Sequence, residues 1–234
     1  MNPNQFFAEL DARIKKYDLL CHPFYQAWSA GKLTRDDLRE YARDYFHQVQ
    51  AFPEYLGEFG SRTNDDQLRR VVLMNRDDEM GADGARPHAE LWLDFVEGLG
   101  GDREMAGHAP VKAVSELMDS FHDVARNGSA AEALAAFYAY ESQVPRVATE
   151  KARGLREMYG ADEKTCSYFT LHTTADVYHS RIWRHQLAKL VQRDPDAAER
   201  ALQAGEKAAK SLWNALDGIE EKRLGRQCSI SQAH

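Results

Sequence analysis

The sequence predicts an all-α fold in a single domain, and three observations carry that prediction. Apolar residues recur at intervals of three and four along most of the chain. Glu, Lys, Arg, Ala and Leu, the residues that lose least on entering a helix, are abundant, and no period-two run of strand length interrupts them. Finally, 234 residues with 43% hydrophobic content suffice for one sizeable core, with no internal repeat or linker to divide it. Roughly seven to nine helices are expected within residues 1–225, and residues 226–234 read as a disordered tail.

Each element has its own signal. Pro3 to about Tyr17 places Phe6, Phe7, Leu10 and Ile14 on one face, and a short helix follows His22-Pro23. Thr34 then caps a third helix, with Asp37 reaching back in a capping box, running toward Phe59 with a bend at Pro53. Asp65 to Met80 reads as a helix stopped by MGADGARP, after which His88 opens the next. The breaker GLGGDREMAGHAP separates that one from Val111 to Arg126. Ser129 caps a helix continuing to about Met158 with a kink at Pro145. A single long helix is expected from about Asp162 to Val191, and a last one from DPDAAER to about Arg223.

Composition narrows the function. A net charge of -7 argues against a nucleic-acid surface, which needs a concentrated basic face. No apolar run is long enough to span a bilayer, and MNPNQFFAEL lacks the basic start and apolar core of a secretion signal. Cys21, Cys166 and Cys228 form neither a disulfide framework nor a zinc CxxC pair. A cytoplasmic protein without nucleic-acid or membrane partners is therefore expected; a homodimer stays open.

The chemistry-bearing residues cluster by spacing. At about 100° per residue, His172, Asp176 and His179 on one helix would fall near 0°, 40° and 340° and project from a single face. That spacing also suits a surface ion-pair pattern or a hydrogen-bonded core cluster. Glu141 lies in the otherwise apolar LAAFYAYESQVP, where a carboxylate needs a partner; Arg146 or a tyrosine hydroxyl would serve as well as a metal. Glu79 and His88 flank a glycine-rich turn that can bring them together, and could equally be an exposed carboxylate and a capping residue. Together, three carboxylates and three imidazoles are an inventory that helical bundles use for two first-row ions. Two divalent ions and one hydroxide would make the cluster neutral. The Glu-x-x-His pair of ferritin-like bundles is absent.

HPFYQAW, DEMG…HAELW, YAYESQVP and YFTLHTTADVYHSRIW, spread over nearly the whole chain, resemble the haem-oxygenase-like di-metal oxidases, and among them the CADD-like (Chlamydia protein associating with death domains) family. The resemblance implies a TenA/PqqC-like helical bundle with metal ligands at Glu79, His88, Glu141, His172, Asp176 and His179. Asp78 competes with Glu79 because the loop before His88 is long. It also implies oxygen-dependent para-aminobenzoate formation for folate synthesis with Fe/Fe or Fe/Mn, dioxygen as co-substrate and an external reductant. In that family the protein itself is consumed, which here points to Tyr25 for the ring and Lys151 for nitrogen. Tyr41, Tyr140 and Tyr168 are candidates for carrying electrons or a radical. Lys151, ten residues after Glu141, would sit about 80° round the same helix. Two competing readings stand beside this one. The first is a metal-free thiaminase-type or pyrroloquinoline-quinone-forming enzyme of the same fold, with Cys166 as the nucleophile candidate. The second is a helical protein-interaction module. His47 is a candidate for supporting the metal site from behind; His22 reads as a helix start, and His108, His122, His185 and His234 as surface or capping residues.

Overall fold

The computed structural model describes residues 2–105, 107–194 and 196–231, and among them every regular element is helical. Eleven α-helices follow in order: α1 (Pro3–Lys15), α2 (Pro23–Ser29), α3 (Arg35–Arg62), α4 (Asp66–Glu79), α5 (His88–Gly98), α6 (Lys112–Asn127), α7 (Ala130–Glu141), α8 (Val144–Tyr159), α9 (Glu163–His172), α10 (Ala175–Arg193) and α11 (Ala197–Ser231). Short 3-10 turns occupy Leu19–Cys21 and Ala82–Gly84.

The capping residues act as expected. Thr34 and Asp37 form a complete capping box, as do Ser129 and Glu132, and Asp65 accepts from the first-turn amides of α4. His22 caps α2 through its ring, which accepts from the Phe24 N–H. The core is organised around α7, whose residues from Ala133 to Glu141 are all buried, as a helix that is apolar on every side must be. It packs against α10 and α11, while α3 packs against α4, α5 and α6, and α5 against α9.

The helix count exceeds the expectation because two long helices are broken, and both breaks fall next to candidate ligands. The expected helix over 129–158 is not kinked at Pro145 but ends at Glu141. Proline 145 has no N–H for the Glu141 carbonyl, and its ring collides with that carbonyl, so α8 restarts at Val144. Lys151 and Glu141 thus lie on different helices, and the angle expected between them does not apply. Likewise the helix expected over 162–191 stops at His172 and restarts at Ala175. The Thr173 and Thr174 hydroxyls bond back to the carbonyls of Thr170 and Leu171, offering the backbone an alternative to continuing the helix. His172 therefore does not share one helix with Asp176 and His179.

Two smaller differences remain. Pro53 lies inside α3, which runs on to Arg62. The last helix extends through Ser231, so most of the tail expected at 226–234 is helical; residues 232–234 lie outside the described residues, and with them the reading of His234. Among the described residues no helix is long and apolar enough to cross a membrane.

Candidate metal centre

Six residues named from the sequence meet in the interior. Glu79 is the last residue of α4, His88 the first of α5, Glu141 the last of α7 and His172 the last of α9, while Asp176 and His179 lie in the opening turns of α10. None is more than 6% exposed. The turn joining Glu79 to His88 is tight: Gly81 has φ +78°, and a Cβ there would come within 2.6 Å of the Ala85 carbonyl oxygen. Donor atoms of Glu79, His88 and His172 form one set, and those of Glu79, Glu141, Asp176 and His179 a second, each within 4.8 Å of one another. Glu79 belongs to both. Asp78 belongs to neither; it is half exposed and lies 3.2 Å from His179 Nε2.

The cluster's electrostatics call for positive charge. Glu79 and Glu141 sit at helix C-termini, where the partial negative charge of the helix disfavours a carboxylate and favours a cation. Burial, and then the neighbouring Asp176 carboxylate, push Glu141 well above the usual carboxylate range. Asn75 Nδ2 donates to it at 2.9 Å and the Trp183 indole donates to its other oxygen, so its expected alternatives, Arg146 or a tyrosine, are not its partners. Burial lowers His172 to about 4, while its Nδ1 donates to the Tyr168 carbonyl at 2.7 Å, leaving Nε2 as the free donor atom. Burial opposes a charge on His179 too, but Asp176 and Glu141 raise it to about 9.

Two buried ring nitrogens of the cluster have no hydrogen-bond partner. His88 Nδ1 lies 2.8 Å from Glu79 Oε2 without the alignment of a hydrogen bond, and His179 Nδ1 faces Asp176 and Glu141 at 3.5 and 3.6 Å. Buried polar atoms are normally paired. Imidazole nitrogens and carboxylate oxygens that converge without hydrogen bonds between them are the donor set of a cation, and three carboxylates suit two divalent ions. The residues present therefore fit a dinuclear metal group.

Beside the cluster lies a second buried assembly. A cavity of about 10 Å³, room for little more than one water-sized molecule, is lined by Glu79, Glu141, His172, Asp176, Tyr140 and Tyr168. Tyr140 and Tyr168 also line a neighbouring cavity of about 30 Å³, together with Tyr25, Tyr45 and Lys151. Lys151 is buried with its Nζ over aromatic rings, 4.3 Å from the centre of Tyr25 and 4.6 Å from that of Tyr41, and it bonds the Tyr41 hydroxyl. No carboxylate is paired with it among the described residues, and desolvation holds its amine well below the usual lysine value. Tyr41 also shares a 3.0 Å hydroxyl contact with Tyr25 and stacks on Tyr45. Burial raises Tyr25, Tyr41, Tyr140 and Tyr168 well above the usual phenol range, so all four are held protonated.

Residues 39–213 match the model of a family described as iron-containing redox enzymes. The chain belongs to that family. This redox enzyme is 37% identical to the 4-aminobenzoate synthase of Chlamydia trachomatis, over 98% of its own length and 97% of the relative's. It is also 37% identical to the 4-aminobenzoate synthase of Nitrosomonas europaea, over 94% and 93% of the two chains. A Shewanella denitrificans structure described as having a haem-oxygenase-like fold superposes with a TM-score of 0.80, at 16% identity over 97% and 95% of the chains. The all-α, haem-oxygenase-like architecture expected from the sequence is the one found.

Three residues of the redox enzyme's centre escaped the sequence reading. Asn75 lies one turn before Glu79, Trp183 one turn after His179, and Tyr45 one turn after Tyr41. Each shares a helix face with a residue already named, and that i, i+4 relation was the available signal. Conversely, His47 stands apart from the cluster, stacked on His108 with ring centres 5.8 Å apart. Cys166 is buried, its thiol is pushed up by desolvation, and it lines neither central cavity, which leaves the nucleophilic-cysteine reading without a site.

Proposed function

We propose that this redox enzyme makes 4-aminobenzoate, with the ring taken from its own Tyr25 and the nitrogen from Lys151. The observation that carries the reading is the pairing of two buried sites: a cluster of six carboxylate and imidazole side chains at one, a desolvated lysine amine against Tyr25 at the other, and Tyr140 and Tyr168 between them. The names of the relatives supply the product. Glu79, His88, Glu141, His172, Asp176 and His179 would hold two first-row ions, Fe/Fe or Fe/Mn, which when bound supply the redox chemistry with dioxygen that no side chain offers.

The protein residues account for the rest. Burial favours the free-amine form of Lys151, the form that can give nitrogen, and the ring contacts hold it over Tyr25. Tyr41 bonds both groups and fixes their orientation. Tyr140 and Tyr168 stand where an electron and a proton would pass between chambers; Tyr168 stacks on the His172 ring at 4.0 Å. The Cα–Cβ bond of Tyr25 breaks, and Cβ becomes the carboxylate carbon. A C–N bond replaces the phenolic C–O bond, and the Nζ–Cε bond of Lys151 breaks. Cα takes up a hydrogen and is left as a glycine, and Lys151 Cε is left as an aldehyde; two dioxygen molecules accept the six electrons these changes release and two more from an external reductant, and two waters leave.

Complementation tests this reading. A para-aminobenzoate auxotroph should grow with the wild-type chain and not with Tyr25→Phe or Lys151→Arg. Growth with Tyr25→Phe at the wild-type level would remove the internal-tyrosine reading.

A further inference from the structure

We propose that Asp78 is a positioning residue that fixes the His179 ring so that it offers Nδ1, rather than Nε2, to the centre. The inference rests on the dinuclear reading above and concerns one ring within it. Asp78 and Glu79 are neighbours in the last turn of α4, about 100° apart, so that one carboxylate enters the cluster while the other flanks it. The Asp78 side chain is 56% exposed, yet its Oδ2 lies 3.2 Å from His179 Nε2, whose own side chain is 4% exposed. An imidazole that binds a metal through one nitrogen keeps a single N–H, on the other. With that N–H donated to Asp78, the lone pair is on Nδ1, which faces Asp176 and Glu141 without a hydrogen-bond partner.

His172 is arranged the other way round. Its Nδ1 donates to the Tyr168 carbonyl, so Nε2 is its free atom. The two rings thus present different nitrogens, one fixed by the backbone and the other by a solvent-exposed carboxylate. Outer partners of this kind typically change metal affinity by about 10–100-fold. Asp78 lies outside both donor sets, so its loss should weaken one position without removing a ligand.

The test is anaerobic titration of the full chain with Fe(II) and with Mn(II), read by bound equivalents and by the iron Mössbauer spectrum. The wild type should bind two equivalents. Asp78→Ala should bind one as the wild type does and the other about 10–100-fold more weakly, with one iron signal altered. Asp78→Asn, whose side-chain oxygen still accepts from Nε2–H, should recover most of that loss. Unchanged affinities and spectrum in Asp78→Ala would overturn the proposal. So would complete loss of one equivalent without recovery in Asp78→Asn, the behaviour of a direct ligand. A wild type binding fewer than two equivalents overturns the dinuclear reading and this role with it, a failure visible before any variant is made.

Discussion

Lys151 is the residue whose environment is most at odds with its chemistry, and the pH dependence follows from it. Desolvation in the folded protein disfavours the charged amine, while the unfolded chain protonates it below about its ordinary value of 10.5. The unfolded state therefore binds more protons between the lowered folded value and 10.5, and this residue's contribution to stability rises with pH across that window and is lost as pH falls. Lys151→Met should accordingly melt a few degrees above wild type at pH 7, since each kcal/mol moves the midpoint of a domain this size by about 2–4 °C. The advantage should shrink toward pH 10.5, and calorimetry at several pH values checks it. Within the cluster, Glu79 stands in both donor sets and His172 in one. Glu79→Ala should abolish uptake of both metal equivalents and His172→Ala of one, measured by anaerobic titration with elemental analysis. Residue types and their local context made all six candidates legible in the sequence. What the sequence could not supply was which carboxylate of the Asp78–Glu79 pair turns inward, because that depends on how α4 is rotated against α5 and α10.

At the scale of elements, the site is built from helix ends, and this is where the sequence was least legible. Capping residues marked the starts of α3, α4 and α7 because a cap is a local hydrogen bond. The breaks after Glu141 and His172 were missed for a physical reason. Proline is tolerated in the first turn of a helix, so Pro145 was compatible with a kink or with a new start, and only packing selects between them. The Thr173-Thr174 pair is a weak breaker whose effect depends on hydroxyls finding carbonyls. Replacing both threonines with alanine should favour a continuous helix through 163–193 and turn His172 away from its cluster. The expected outcome is loss of the metal equivalent that uses His172, with helix content unchanged or slightly higher by circular dichroism.

Across the whole molecule, the close packing of helices sets the distance between the two chambers. Gly154 on α8 lies against Trp28 on α2, where a Cβ would come within 2.7 Å of the indole Cδ1. Trp28 is one wall of the box around Lys151, with its ring centre 5.4 Å from the amine, and Lys151 lies on α8 one turn before Gly154, so pushing α8 away from Trp28 moves the amine relative to that wall. Gly154→Ala should cost about 1–3 kcal/mol, as overpacking of a dense core does, and lower product yield with metal uptake unchanged. Denaturant unfolding and a metal assay separate those effects. The all-helical class and single core were legible because they depend on periodicity summed over the chain. The box around Lys151 was not, since it draws rings from α2, α3, α5 and α9 that no sequence interval relates. The most direct test of the internal-tyrosine reading is a single aerobic turnover of the reduced, metal-loaded chain, read by intact-protein and peptide mass together with product quantity. The account predicts no more than one 4-aminobenzoate per chain, accompanied by loss of the Tyr25 side chain and alteration of Lys151. Product in excess of one per chain, with both residues intact, would contradict it.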